Sequence, residues 1–197
     1  MKTKILSSSI RACAIGLVIT FSVLGCGNRQ GSSNNKTGQA AEKEAGTVPS
    51  MDIFTAALFG NLDAINDHIK AGTDLNMKDE YGSTPLIIAI TFGKTDVATA
   101  LINAGCDLDM QSNDGSTPLH TAAFLCRTEI VKALLEKGAD KTIKNNYGST
   151  PYESVVVPFD NVRPVYEQIA RDLGPLGLKL NYDRIKETRP VIAEMLK

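Results

Sequence analysis

Two short motifs recur in this chain at one fixed interval. The first, Gly-Ser-Thr-Pro, begins at Gly82, Gly115 and Gly148. The second, a Gly followed two positions later by Asp, begins at Gly72, Gly105 and Gly138. Two landmarks with the same period indicate a structural unit of this length that is repeated along the chain. One such unit cannot bury its own apolar face, so it gains stability by stacking on its neighbours.

The residues within each unit predict two helices joined by a turn and followed by a hairpin. Thr117 can cap a helix through its side-chain oxygen, and Pro118 then occupies the first helical position, where no N–H is needed. Ile130 and Leu134 belong to an apolar pattern that is typical of a buried helical face. Gly138 suits the left-handed residue that ends a second helix.

The hexapeptide Thr-Pro-Leu-His-Thr-Ala at 117–122 matches the Thr-Pro-Leu-His-x-Ala signature of the ankyrin-repeat family, whose repeat has the same length as the interval seen here. The chain resembles that family over about 46–177, with repeats beginning near Gly46, Asp79, Ser112 and Asn145. The resemblance implies an all-α repeat solenoid. We expect an ankyrin-type stack of about four helix-turn-helix-hairpin repeats, forming a domain at 51–177.

Both ends of the repeat region depart from this pattern. In the first repeat, Ser50-Met51-Asp52 stands in place of the Thr-Pro pair. In the fourth, Val155–Pro158 interrupts the first helix, and a longer second helix is expected from near Asn161 to near Leu173. Terminal repeats of a solenoid are commonly atypical because one of their faces meets solvent.

Residues 178–197 fall outside the repeats and are predicted to form a C-terminal helical cap. Thr188 is placed to cap a short helix that begins at Pro190. The apolar face expected for this segment consists of Ile185, Val191, Ile192, Met195 and Leu196. The alternative is a tail that dimerises or docks a partner.

Residues 1–25 have the composition of an export signal. Three basic residues precede an uncharged, mostly apolar stretch at 12–24. This stretch is too short to cross a hydrocarbon core of about 30 Å, but it matches the apolar region of a secretory signal peptide. It ends in Val-Leu-Gly-Cys, which resembles a bacterial lipobox. The resemblance implies lipidation of Cys26 and attachment to the bacterial cell envelope. The outer membrane is favoured because Gly27, and not Asp, comes directly after Cys26, and ordinary secretion is the alternative.

Residues 26–50 are predicted to comprise the lipidated Cys26 and a disordered tether. The segment is rich in Gly, Ser, Asn, Gln, Lys and Ala, and Val48 is its only large aliphatic residue. A flexible chain of this length spans roughly 27 Å root-mean-square.

All of the acidic residues but only part of the basic ones follow Cys26, so the chain beyond it is mildly acidic. This balance argues against a nucleic-acid partner.

The parts of an enzyme active site are missing from the sequence. The family resemblance gives His120 a structural role in bracing the hairpins. His68 aligns with leucines of later repeats and is expected to be partly buried. No nucleophile elbow, P-loop, dinucleotide motif or metal-ligand spacing is present. We therefore expect no enzyme activity, no cofactor, no metal and no small-molecule substrate.

Cys106 and Cys126 are expected to be free, partly buried thiols. Cys106 follows a second helix and so lies on the hairpin side, whereas Cys126 lies in the turn between two helices, on the opposite side. A helix of about nine residues separates these sides by about 13 Å. A disulfide requires Cα atoms closer than about 7 Å.

A repeat stack without catalytic parts is suited to presenting a binding face. In the ankyrin family partners contact the hairpin tips and the exposed side of the first helices, so the resemblance implies an unidentified protein partner. The tip residues that this assigns to partner binding are Glu80, Tyr81, Ser83, Asn113, Asp114, Ser116, Asn146, Tyr147 and Ser149. The alternative is that these tips are only solvated polar groups.

A second candidate surface lies at the ends of the first helices, where apolar residues align at the repeat period. We call it the apolar stripe, and it consists of Leu58, Phe59, Thr91, Phe92, Phe124 and Leu125. If exposed, it would mark an interaction site, with Phe92, Phe124 and Leu125 as partner-binding residues. The alternative is that the tether, the 153–162 loop or internal packing covers it.

Together these features predict a non-enzymatic protein–protein interaction module. A lipid anchor and a flexible tether would present it outside the cytoplasm, and contact with the membrane is expected through the anchor alone. The alternative is a structural protein whose stack and apolar tail form a homo-oligomer or an envelope assembly.

Overall fold

A computed structural model describes residues 49–197 of the chain. The predicted export signal, Cys26 and nearly all of the predicted tether lie outside these residues. Within 49–197 the chain forms nine α-helices and no strand. The helices stack in the order of the repeats, which confirms the all-α repeat solenoid.

Each of the first three repeats contributes two helices joined by a short turn. The helices are α1 (Ile53–Phe59), α2 (Leu62–Ala71), α3 (Pro85–Thr91), α4 (Thr95–Asn103), α5 (Pro118–Phe124) and α6 (Thr128–Glu136). First helices pack on one another along the stack, α1 on α3 and α3 on α5. Second helices do the same, α2 on α4 and α4 on α6. Every internal repeat therefore buries both of its faces against neighbours.

The first helices begin at the capping residues that the sequence predicts. The side-chain oxygens of Thr84, Thr117 and Thr150 each accept a hydrogen bond from the backbone N–H three residues further on. In the first repeat Asp52 takes this role and accepts from Thr55 N at 2.9 Å. The helix without a Thr-Pro pair is thus capped by a different polar residue.

Small residues of the first helices and branched residues of the second helices form the core. Ala56, Ala89 and Ala122 are completely buried, and their small side chains allow neighbouring helices to approach closely. Leu101 and Leu134, from two successive second helices, are also completely buried. Burying one such leucine contributes about 1.5–3 kcal/mol relative to leaving it exposed.

The turn between the two helices of a repeat requires a left-handed residue. Gly93 has φ 67° in the second repeat, and Cys126 has φ 55° at the equivalent position of the third. A side chain in this conformation costs roughly 1–2 kcal/mol, which glycine avoids. Cys126 is held there by burial, because 3% of its surface is exposed.

The fourth repeat differs from the sequence prediction in the identity of its second helix. It contains α7 (Pro151–Val156), α8 (Phe159–Leu173), a 3-10 turn (Gly174–Leu176) and α9 (Tyr182–Leu196). α7 ends at Val156, close to the predicted interruption. α9 packs on α7 and α6, the place that a second helix takes in each earlier repeat. The prediction that α8 is the second helix was therefore wrong: α8 belongs to a segment inserted between the two helices of the repeat.

The cap positions of the second helices show the extent of the insertion. Asn61, Lys94 and Arg127 are evenly spaced at the repeat period, which would place the next cap at Asp160. The cap is instead Asn181, so the insertion displaces the second helix from 160 to 181. Asn61 and Asn181 cap their helices in the same way. Asn61 accepts a hydrogen bond from Ala64 N at 3.1 Å. Asn181 accepts one from the N–H of residue 184 at 2.9 Å. α9 thus begins in the same way as a repeat helix.

α9 is one continuous helix of 15 residues with Pro190 inside it. The predicted helix start at Pro190 was wrong, because Asn181 caps the helix two turns earlier. Ile185, Ile192 and Leu196 are buried, as expected. Val191 is 52% exposed, contrary to the predicted apolar face. Its direction differs from that of Ile192 by one helical step of about 100°, which turns it away from the stack.

Candidate binding surface

Hydrogen bonds join each hairpin tip to the next. The backbone N–H of Asn113 donates to Tyr81 O at 3.4 Å, and that of Asn146 donates to Asp114 O at 3.0 Å. The two asparagine side chains follow the same direction, from Asn113 Nδ2 to Glu80 O at 3.4 Å and from Asn146 Nδ2 to Asn113 O at 3.0 Å. The tips therefore form a continuous ladder, which we call the hairpin ladder.

Side chains within the tips fix the backbone of each hairpin. Asp79 Oδ1 accepts from the N–H groups of Tyr81 at 2.9 Å and Ser83 at 2.7 Å. In the next tip Asp114 accepts from the Ser116 N–H at 3.1 Å. The predicted site residues Ser83, Asp114 and Ser116 are thus partly occupied in shaping the surface. Their hydrogen bonds give the tip a fixed form.

Gly82 allows two neighbouring tips to lie close together. Its φ is 72°, and a Cβ atom at this position would lie 2.9 Å from the backbone nitrogen of Asn113. A larger residue would therefore push the second tip away from the first and strain its own backbone.

Two buried histidines each lie within hydrogen-bonding distance of the backbone carbonyl oxygen that precedes the cap of a first helix. His120 Nε2 donates to Ser149 O at 2.9 Å, and its Nδ1 accepts from the Thr117 N–H at 3.2 Å. Burial lowers the pKa of His120, which agrees with a neutral ring in this role. His68 is also buried, and its Nε2 lies 2.8 Å from Met51 O. The structural roles predicted for both histidines are confirmed.

The side chains that project from the tips differ between repeats. Tyr147 is 42% exposed, whereas Tyr81, at the equivalent position, is half-buried. Glu80, Asn113 and Asn146 are exposed. The more accessible of the two tip tyrosines therefore lies in the last tip of the ladder.

The apolar stripe is exposed at one end and covered at the other. Phe59 is 66% exposed, Phe92 is half-buried and Leu125 is 5% exposed. The Phe124 ring stacks on Tyr166 of α8, with ring centroids 4.5 Å apart. For Phe124 and Leu125 the structure favours the alternative of internal packing, because the C-terminal elements cover both residues. The accessible part of the stripe lies in the first two repeats.

Two residues that were not predicted from the sequence hold the C-terminal elements over Phe124 and Leu125. Tyr166 donates from its hydroxyl to Phe124 O at 2.5 Å. Arg189 of α9 is buried, and its Nη2 donates to Ser154 O at 3.1 Å and to Val157 O at 2.8 Å. Neither residue belongs to the repeated pattern, so periodicity gives no signal for them.

The two cysteines of the repeats do not pair with each other. Cys106 and Cys126 are free thiols, as expected, and both are buried more completely than the partial burial that was expected. Burial raises the pKa of each thiol to about 11. Across residues 49–197 no three metal-binding side chains come together. No helix in this part of the chain is both long enough and apolar enough to cross a membrane.

Comparison with known proteins supports the identification of the stack. No curated protein matches the chain in sequence. A family model described as ankyrin repeats, in three copies, matches residues 53–145, the part that contains α1 to α6. The repeats within residues 53–145 therefore resemble ankyrin repeats in sequence and form an ankyrin-type stack, which indicates a protein–protein interaction module.

Proposed function

We propose that this protein is a non-enzymatic module that binds another protein outside the cytoplasm. A lipid on Cys26 attaches it to the bacterial outer membrane, and residues 27–50 act as a flexible tether. The support for the anchor is the lipobox-like end of the apolar segment, and the support for the tether is its polar composition. The binding surface consists of the hairpin ladder together with the accessible end of the apolar stripe.

The hairpin ladder is the observation that carries the binding proposal. Backbone and side-chain hydrogen bonds of 3.0 to 3.4 Å connect its three tips. A surface that is ordered before a partner arrives loses little conformational entropy on binding. Tyr147 adds a large side chain with only two torsion angles and a polar end, which suits it to a contact region.

The accessible end of the apolar stripe supplies the hydrophobic part of the surface. Phe59 and Phe92 lie one repeat apart, at equivalent positions of adjacent units. Most of the Phe59 side chain meets solvent, so packing within the stack does not account for an aromatic residue there. Aromatic anchors surrounded by polar groups are typical of the centre of a protein interface.

Photo-crosslinking in the native envelope tests this surface. A photoreactive phenylalanine analogue would replace Tyr147 or Phe59, and replacement of the exposed Lys132 on α6 serves as the matched control. We expect one and the same protein to be captured from the first two positions and not from the third. Capture of a second copy alone would support the homo-oligomer instead, and equal capture from all three positions would overturn the surface.

Two serine substitutions separate binding from folding. Phe59→Ser is expected to weaken capture of the partner while changing the free energy of unfolding by less than about 0.5 kcal/mol. Phe124→Ser is expected to lower the free energy of unfolding by roughly 2–4 kcal/mol, because the substitution removes a ring packed on Tyr166. Unchanged capture by the Phe59 variant would exclude the stripe from the interface.

Metabolic labelling tests the anchor separately. Cells given a clickable palmitate analogue are expected to label the wild-type protein and to leave Cys26→Ser unlabelled, with that variant released from the membrane fraction. Equal labelling of both proteins would contradict the assignment of Cys26.

A further inference from the structure

A small pocket lies over the turn that joins α5 to α6. Its lining comes from Leu125–Arg127 and from five residues within Lys179–Ile185, and its volume is about 60 Å³. A cavity needs roughly 10–15 Å³ of such space to hold one water molecule. The pocket can therefore hold one small ion and is too small to enclose an organic ligand.

The pocket exists because no long side chain covers the turn between the two helices of the third repeat. In the second repeat Arg127 lies over Gly93, and a Cβ atom at Gly93 would be 2.9 Å from the guanidinium carbon. In the third repeat the turn residue is Cys126, and the next cap position belongs to Asn181, whose side chain is much shorter than arginine. The space that an arginine or lysine would occupy thus remains open.

Three basic residues line the pocket, and no acidic residue does. They are Arg127, Lys179 and Arg184. Within the described part of the chain none of the three has a carboxylate oxygen within 4.0 Å, since the ion pairs there involve other residues. A cluster of positive charge without acidic neighbours is unexpected in a chain that is mildly acidic beyond Cys26.

Arg127 is held in position by the backbone of the second repeat. Its Nε donates to Ile90 O at 3.2 Å and its Nη2 donates to Thr91 O at 3.0 Å, so its positive charge is fixed beside the pocket. Burial, and then the charge of Arg184, lower the pKa of Arg127. Cys126 offers no compensating charge, because its thiol, with a pKa of about 11, is neutral at pH 7.

We propose that this pocket is a binding site for a small oxyanion of the phosphate class. Arg127 supplies a positive charge in a fixed position, and Lys179 and Arg184 supply flexible donors from the exposed rim. Lys179 and Arg184 come from the inserted segment and α9, so the site exists only because the fourth repeat is split. The proposal is independent of protein binding and of the lipid anchor.

The same chemistry is found in free phosphate and in a phosphate monoester of a larger molecule. Isothermal titration of the purified full chain with inorganic phosphate and with glycerol 3-phosphate distinguishes the two sources. The ionic strength is held constant with NaCl, because screening weakens any exposed charge interaction. Tighter binding of inorganic phosphate assigns the free ion, and binding of the ester at least as tight assigns a monoester; either result supports the pocket.

Matched variants test where the ion binds. Arg184→Gln and Lys179→Gln remove exposed charges from the rim, and Lys186→Gln makes the same change on α9 outside the pocket. We expect the first two variants to weaken phosphate binding by about tenfold or more, and the third to bind as the wild type does. All three should unfold at the wild-type temperature in the absence of phosphate. Two results would overturn the site: no saturable binding of either ligand, or equal losses in all three variants.

Discussion

The hydroxyl oxygen of Tyr166 accepts a hydrogen bond from Arg189 Nη1 at 2.7 Å, joining the inserted helix α8 to the helix that completes the fourth repeat. Both residues are buried. No carboxylate of residues 49–197 lies within 4.0 Å of the guanidinium, which is instead satisfied by the hydroxyl and by two backbone carbonyls. A charged side chain thus ties α7, α8 and α9 together without an ion pair.

Arg189→Met is expected to lower the free energy of unfolding by about 3 kcal/mol or more. The substitution keeps most of the apolar stem but leaves the carbonyls of Ser154 and Val157 without these donors, and hydrogen bonds to charged groups contribute roughly 1.5–3 kcal/mol each. Urea unfolding measures the change. Lys186→Met, an exposed position on the same helix, is the control and should stay within about 0.5 kcal/mol of the wild type. Equal effects of the two substitutions would contradict the role of Arg189.

Adjacent residues of α9 are expected to respond very differently to truncation. Ile192→Ala removes a completely buried side chain and should cost roughly 2–5 kcal/mol, whereas Val191→Ala should cost less than about 0.5 kcal/mol because Val191 is half exposed. Thermal or urea unfolding of the two variants gives the comparison. A larger loss in the Val191 variant would mean that α9 packs with another face toward the stack.

The stability of the stack is expected to depend on pH through His120. Its folded-state pKa is below the ordinary 6.5, so the stabilisation from the neutral ring is complete above about pH 6.5 and is lost as the pH falls below that value. Binding of one proton can change the free energy of unfolding by at most about 1.4 kcal/mol per pH unit. Replacing His120 with Gln should flatten the dependence of unfolding free energy on pH between about 6.5 and 5. An unchanged slope in the variant would show that another group is responsible.

The two repeat cysteines are expected to resist alkylation in the folded protein. With pKa values of about 11, only about one thiol in a thousand is ionised at pH 8, and both side chains are buried. Peptide mapping after treatment with iodoacetamide should therefore find Cys106 and Cys126 modified only when denaturant is present. Rapid modification of either one without denaturant would indicate local opening of the stack at that residue.

Features that recur in every repeat could be predicted from the sequence because each has a local cause. Thr117 caps its helix, Gly138 is left-handed and His120 supports the next hairpin, and each of these depends on residues within or next to one unit. Fold class, helix pairs and hairpin tips followed from these signals. The capping of α1 by Asp52 was a small departure with the same physical basis.

The split of the fourth repeat was not predicted, because α8 lies where the period requires a second helix. The available signal was the start of α9: Asn-Tyr-Asp at 181–183 resembles Asn-Leu-Asp at 61–63, and both segments cap a helix. Pro190 drew attention to a later start, since proline favours the first turn of a helix. Only long-range contacts such as those of Arg189 with α7 show that the helix continues through it.

The accessible surface was predicted in part. Exposed tip residues were recognised from their positions, but the difference between Tyr81 and Tyr147 depends on the next hairpin, which bonds to the backbone of Tyr81 through Asn113. The burial of Leu125 depends on a segment far along the chain, near Leu180. The sequence spacing of the stripe does not contain this information.

The inserted segment also affects the order in which the molecule assembles. Within each of the first three repeats the two helices are joined by two or three residues, whereas all of 157–181 separates α7 from α9. Loop-closure entropy rises by only about 0.6 kcal/mol for each doubling of length, so the longer connection costs roughly 2 kcal/mol. The first three repeats can therefore form from contacts between neighbours in sequence, whereas the fourth repeat is complete only when α9 docks. We expect α9 to be the last helix to dock and the first to detach, so that the stack opens from its C-terminal end.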